Sequence, residues 1–148
     1  MLSLVAVVAI FIHFINGISS TYPPIEKYQY SSNFSQFVKD LNKLSSMNKD
    51  ISFKIKDTTG DNETTFAFYI KIEIRDKKNY FQYDLKFEQF NLDNQLNTNN
   101  IIKVTGIFDK IKNIGGYSKD FKGYEGIMAV FDSSILRPLN IKPALRNF

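Results

Sequence analysis

The chain has 148 residues, with nineteen Lys and Arg against fifteen Asp and Glu, a net charge of +4, and no cysteine or tryptophan. The charges are interspersed, as in "IKIEIRDKK" (70–78), without a long run of one sign. That pattern argues against a nucleic-acid footprint or a polybasic membrane tether and leaves only weak affinity for acidic polysaccharides or anionic surfaces open.

Residues 1–20, MLSLVAVVAIFIHFINGISS, form an apolar run closed by small and polar residues, the pattern of a secretory signal cleaved near Ser19 or Ser20. The run is shorter than the roughly 20 apolar residues of a spanning helix, so no stable membrane span is expected after cleavage. The remainder, 21–148, reads as a single secreted domain. Asn33-Phe34-Ser35 and Asn62-Glu63-Thr64 are sequons, which makes Asn33 and Asn62 candidate glycosylation sites. Without disulfides the domain is held by packing, and its twelve Phe and eight Tyr supply the core.

"TYPPIEKYQY" (21–30) is an extended lead-in or edge strand, because Pro23 and Pro24 donate no ladder hydrogen bond. Phe34, Phe37, Val38, Leu41 and Leu44 then recur at spacings of three and four behind Ser32 and Asn33, which predicts an amphipathic helix over 33–46. From Asp50 the period falls to two. Ile51, Phe53 and Ile55 alternate with polar residues up to a turn at "DTTGDNET" (57–64).

The clearest alternation follows, with Phe66, Phe68, Ile70, Ile72 and Ile74 on one face. A four-residue turn, 76–79, leads to Phe81, Tyr83, Leu85 and Phe87 on one face of a partner strand, so the two strands predict an antiparallel hairpin. Asn91–Asn100 reads as a polar loop. Ile101–Phe108 is a strand with a bulge near Gly106, and "GIMAVFDSS" (126–134) is taken as a further, deeply buried strand. The tail holds Pro138 and Pro143 and is irregular or a short terminal strand. The sum is an all-β, mainly antiparallel domain with one short N-terminal helix, closing into a β-barrel. A curled sheet on a helix is the alternative.

The only histidine, His13, falls in the leader, so the domain 21–148 has neither His nor Cys. Ser-His-Asp and Cys-His catalysis, thiol chemistry and the usual zinc sites are therefore excluded from it. Carboxylate pairs, lysine or tyrosine acid–base groups and oxygen-only calcium sites remain. Glu73 and Glu88 lie among Lys71, Arg75 and Lys86 and read better as cross-strand ion pairs than as an acid–base pair. "DTTGDNE" (57–63) lacks the spacing of a calcium loop. No metal and no cofactor are expected, no catalytic residue stands out, and catalysis is left open.

Tyr83 and Gln89 bring polar groups onto the aromatic face of Phe81, Leu85 and Phe87, where a backbone carbonyl, solvent or a bound ligand could satisfy them. Phe68, Ile70, Tyr83, Phe87 and Gln89 are thus the candidate ligand-binding residues for a small hydrophobic molecule.

In "IGGYSKDFKGYEG" (114–126), Gly115, Gly116, Gly123 and Gly126 supply turn geometry and Phe121 pins the loop to the core. Together with Val104-Thr105-Gly106, these residues make 100–130 resemble the second half of the dirigent and allene oxide cyclase β-barrels. In that family a V-x-G strand end, a Gly-Gly turn, an aromatic and a G-x-x-G step lead into another strand. The resemblance implies an eight-stranded, often trimeric barrel that holds a small hydrophobic or aromatic ligand. If such a barrel were an enzyme, it would be cyclase- or isomerase-like and use carboxylate or tyrosine. A competing reading is a protein-interaction module such as a cystatin-like protease inhibitor, whose helix-then-strands order fits; "IKVTG" (102–106) resembles the inhibitor loop Q-x-V-x-G without its glutamine.

Overall fold

The computed structural model describes residues 23–62, 65–90 and 100–144. The leader, Asn91–Asn99 and the second half of the Asn62 sequon lie outside them.

Strand β1 (Glu26–Tyr30) precedes helix α1 (Phe34–Met47), after which β2 (Ile51–Asn62), β3 (Thr65–Arg75), β4 (Tyr80–Phe90) and β5 (Asn100–Asp109) follow as long strands. Short β6 (Ile114–Gly116) leads to helix α2 (Tyr124–Phe131), continued by a π-helical turn over Asp132–Leu136, and β7 (Lys142–Pro143) ends the order. The sheet is antiparallel with spatial order β2-β3-β4-β5-β1-β7, and β6 pairs with β5. Among the described residues no pairing joins β2 to β7, so the sheet is open. This is the curled sheet carrying a helix rather than the closed barrel. Strand β1 also lies inside the sheet, between β5 and β7, and not at its edge.

The hairpin forms in the expected register, with Ile70 opposite Leu85, Ile72 opposite Tyr83 and Ile74 opposite Phe81. These six side chains are buried on one face, while Lys71, Glu73, Gln82 and Asp84 occupy the other. Its turn is held by Asp76, whose Oδ1 accepts from the backbone N–H groups of Lys78 and Asn79 at 2.7 and 2.8 Å. Strand β2 runs on past the expected turn at Asp57: Thr58 pairs with Phe68 and Thr59 with Ala67, after a register shift between Ile55 and Asp57. The long apolar β3 needs a partner along its length, and two β-branched threonines suit an extended backbone.

Strand β5 carries a bulge at Thr105. Leu85 pairs with Val104 and Asp84 with Gly106, which leaves Thr105 without a partner. Before it Asn100, Ile102 and Val104 face inward; after it Ile107 and Asp109 do. The extra residue resets the alternation so that both halves bury apolar side chains.

Both helices sit on the inner face. Helix α1 is capped by Asn33, whose Oδ1 accepts from the Gln36 N–H at 2.9 Å. Its Phe37 and Leu41 are fully buried; Phe37 packs on Phe87 (5.2 Å between ring centroids), and Phe34 stacks on Phe68 (3.9 Å). Helix α2 packs farther along, its Phe131 ring 4.5 Å from Tyr83 and 6.5 Å from Tyr28.

Helix α2 and its π-helical extension replace the strand expected over 126–134. Ile127, Phe131 and Ile135 recur every four residues and all face the core. A six-residue apolar run, 126–131, fits a buried strand and a buried helix alike, and here the glycine before it decides. Gly123 adopts φ +98 at the helix N-cap, which turns the chain out of the extended direction. Gly126 sits within the helix with open space where a Cβ would be, so it is not a required turn glycine.

Candidate functional site

The residues expected to wall a ligand cavity do come together, but as the seat of the two helices. Ile70, Tyr83 and Phe87 are buried, and Phe68 is half-buried beneath Phe34. The Tyr83 hydroxyl donates to the Ile127 carbonyl at 2.8 Å, which fastens α2 to the middle of β4. Gln89 Oε1 accepts from the Phe34 backbone N–H at 2.9 Å and satisfies a free donor at the start of α1. Both polar groups thus find partners inside the protein, and the space before them is filled by helix side chains.

The remaining sequence candidates also find structural places. Glu73 lies opposite Gln82 and Glu88 opposite Ala67, so the two carboxylates do not face each other. Glu73 pairs with Lys71 at 3.5 Å, and Glu88 with Lys103 and Lys86 at 2.6 and 3.3 Å. Gly115 and Gly116 form β6 rather than an open turn. Gly115 adopts φ +135, and a Cβ there would stand 2.2 Å from the Ile107 carbonyl oxygen, so the close approach of β6 to β5 requires glycine. Phe121 is half-buried against the core and meets Tyr124 edge to face at 6.0 Å. "IKVTG" lies in β5, paired on both sides by β4 and β1, and is not a protruding loop. Asn33 is exposed at the α1 cap, and Asn62 closes β2.

A different place has the shape of a site. Where α2 and its π-helical extension cross β1 and β7, they leave an open groove of about 400 Å³. Its apolar lining is Met128, Leu136, Ile141 and Pro143; Tyr28 and Tyr124 supply two phenols, and Glu26, Glu125 and Asp132 three carboxylates. Strand alternation puts Glu26 and Tyr28 on the same inward side of β1. One helical turn and then a second carry Glu125 to Met128 and Asp132 along the opposite wall.

The electrostatics at one corner are well defined. Glu26 Oε1 accepts from the Tyr124 hydroxyl at 2.7 Å and from Lys119 Nζ at 2.6 Å, and the same ammonium stands 5.9 Å from the centre of the Tyr124 ring. At the other end Arg137 Nε meets Asp132 Oδ2 at 2.6 Å. Burial first, then the charges of Glu26 and Asp132, hold the Tyr28 phenol well above its ordinary range. Burial first and then the Glu26 hydrogen bond do the same for Tyr124. Both phenols are therefore neutral donors at physiological pH and not phenolate nucleophiles or bases. Among the described residues no three acidic side chains are grouped to hold a metal ion, so the carboxylates of the groove remain separate anionic contacts.

None of this lining was singled out in the sequence except as strand, turn or tail. Glu26 and Tyr28 are nearly a hundred residues from Tyr124 and Glu125, and only the pairing of β1 with β5 and β7 brings them beside α2. The helical reading of 124–136 was the missing signal, because it alone puts Glu125, Met128 and Asp132 on one line. Within 100–130, α2 stands where the dirigent-like pattern led a strand to be expected. In comparisons with known proteins, no family model matches the chain, and no curated protein or solved structure is significantly similar to it.

Proposed function

We propose that this chain is a secreted binding module that retains a small amine with an apolar or aromatic body in the groove between α2 and β1. Secretion rests on the leader pattern of residues 1–20. The observation that carries the ligand class is Lys119: an ammonium already rests against Glu26 and near the Tyr124 ring, and so marks where a cation is favoured. Lys119 is half exposed, so its pair with Glu26 contributes little to stability and a ligand ammonium can replace it at small cost. The groove falls within the roughly 300–1,000 Å³ of small-molecule sites, with an apolar floor and few polar groups. Retention rather than turnover fits two neutral phenols and a domain without His or Cys.

Tryptamine, indole and indole-3-acetate are suitable probes in an NMR titration of the secreted protein. Tryptamine is expected to shift the Tyr28, Tyr124 and Met128 signals, with indole weaker and indole-3-acetate weakest. Glu26→Gln should weaken tryptamine about tenfold, the loss of a charge-assisted contact, while Lys119→Ala should tighten it. Equal shifts from the amine and the acid, or none at these three residues, would overturn the reading.

A further inference from the structure

The register of the sheet gathers lysines that the sequence keeps apart. On the outer face, away from both helices, Lys86 of β4 lies opposite Lys103 of β5, and Lys103 opposite Lys27 of β1. One step along, Lys54 of β2 lies opposite Lys71 of β3. Beside Lys27, Gln29 pairs with Lys142 of β7. Strands are about 4.8 Å apart, so the row Lys86–Lys103–Lys27 covers about 10 Å of surface.

Like charges placed directly opposite across a ladder destabilise it. The face compensates in part, since Glu88 bridges Lys103 and Lys86, Glu73 holds Lys71, and Asp84 stands beside Lys71 in register. Among the described residues, no ion pair engages Lys27, Lys54 or Lys142, and all three are exposed.

We propose that this outer face is a binding surface for an acidic polysaccharide, laid along the lysine row from β4 to β7. A polyanion relieves the Lys–Lys repulsion and releases its own counterions, so the face gains from both sides of the contact. Lysines, as separate point charges, suit carboxylates or sulfates spread along a flexible chain, whereas phosphate recognition favours the fork of arginine, and Arg75 stands at the far end of the face. Single-stranded nucleic acid needs stacking platforms, yet the one ring in the lysine row, Tyr69, has Lys86 over it at 5.8 Å. A membrane surface needs several exposed apolar residues to insert among the charges, and beside the row this face has only the half-buried Ile101.

The test measures binding of a heparin dodecasaccharide to the full secreted chain, with a twelve-residue oligothymidylate and phosphatidylserine vesicles alongside. Lys27→Gln/Lys103→Gln/Lys142→Gln is compared with Lys77→Gln/Lys78→Gln/Lys122→Gln, which removes equal charge elsewhere. The first variant is expected to lose about tenfold or more in heparin affinity and to show a shallower salt dependence, and the second to lose far less. The double variant Lys27→Gln/Lys142→Gln leaves the Glu88 bridges intact and should show an intermediate loss even if the triple variant unfolds. Equal losses in the two charge-matched triple variants, or an unchanged double variant, would overturn the proposal. So would tighter binding of the oligonucleotide or the vesicles than of heparin.

Discussion

The β3–β4 hairpin and the segment 114–136 both contribute to the core but encode their structures by different means. In the hairpin the signal is distributed: five apolar residues on one strand and four on the next alternate with polar ones, and no single position decides the outcome. In the glycine-rich segment the signal is concentrated. Gly115 permits β6 to approach β5, Gly123 reverses the chain, and only then do Ile127, Phe131 and Ile135 settle against the sheet. A distributed code survives the misreading of one residue, and a concentrated code does not.

Substitutions can sharpen that contrast. Phe131→Ala is expected to cost about 3–5 kcal/mol, as much as Phe87→Ala in the hairpin, because both rings are fully buried and touch other rings. Urea denaturation of the two variants checks this, and a much smaller loss at Phe131 would mean that α2 is only loosely attached. Gly115→Ala comes next, at about 2–3 kcal/mol, since a Cβ would collide with the Ile107 carbonyl at a φ that side chains avoid. Gly126→Ala should act in the opposite sense and stabilise by about 0.5–1 kcal/mol, because its position is helical and open. Opposite shifts in Tm for two glycines eleven residues apart would separate backbone demand from mere abundance.

The smallest effect belongs to the hairpin turn. Hydrogen bonds from the Lys78 N–H first, then from the Asn79 side chain and N–H, hold the Asp76 carboxyl below its ordinary range. A group with a lowered folded pKa contributes stability above its unfolded pKa and loses it as pH falls toward the folded value. Tm should therefore decline slightly below about pH 4 in the native protein, and the decline should be shallower in Asp76→Asn.

Much of the fold was legible because period-two alternation is robust over long strands, and the helix at 34–47 because Asn33 and the three-and-four spacing agree. The extension of β2 was not, since Asp57, Gly60 and Asp61 are turn residues locally and become strand only under the demand of β3 for a partner. The helix at 124–131 was missed because its uniformly apolar run conceals its period and Gly126 suggests a bend. Tyr83 and Gln89 were correctly marked as polar groups needing partners. Their partners, the Ile127 carbonyl and the Phe34 N–H, lie on helices whose positions no local pattern conveys. The groove and the lysine row are both products of register, which joins residues more than a hundred positions apart.

The unpaired Thr105 gives β5 a reading frame. Substituting that residue changes one side chain on the surface of the sheet, whereas deleting it would turn Ile107 and Asp109 outward and bring Gly106 and Phe108 in. Every pairing of β6 is counted from that stretch, so one lost residue would propagate through Gly115 to the seat of α2. Sequence length at this point is therefore held more tightly than sequence identity.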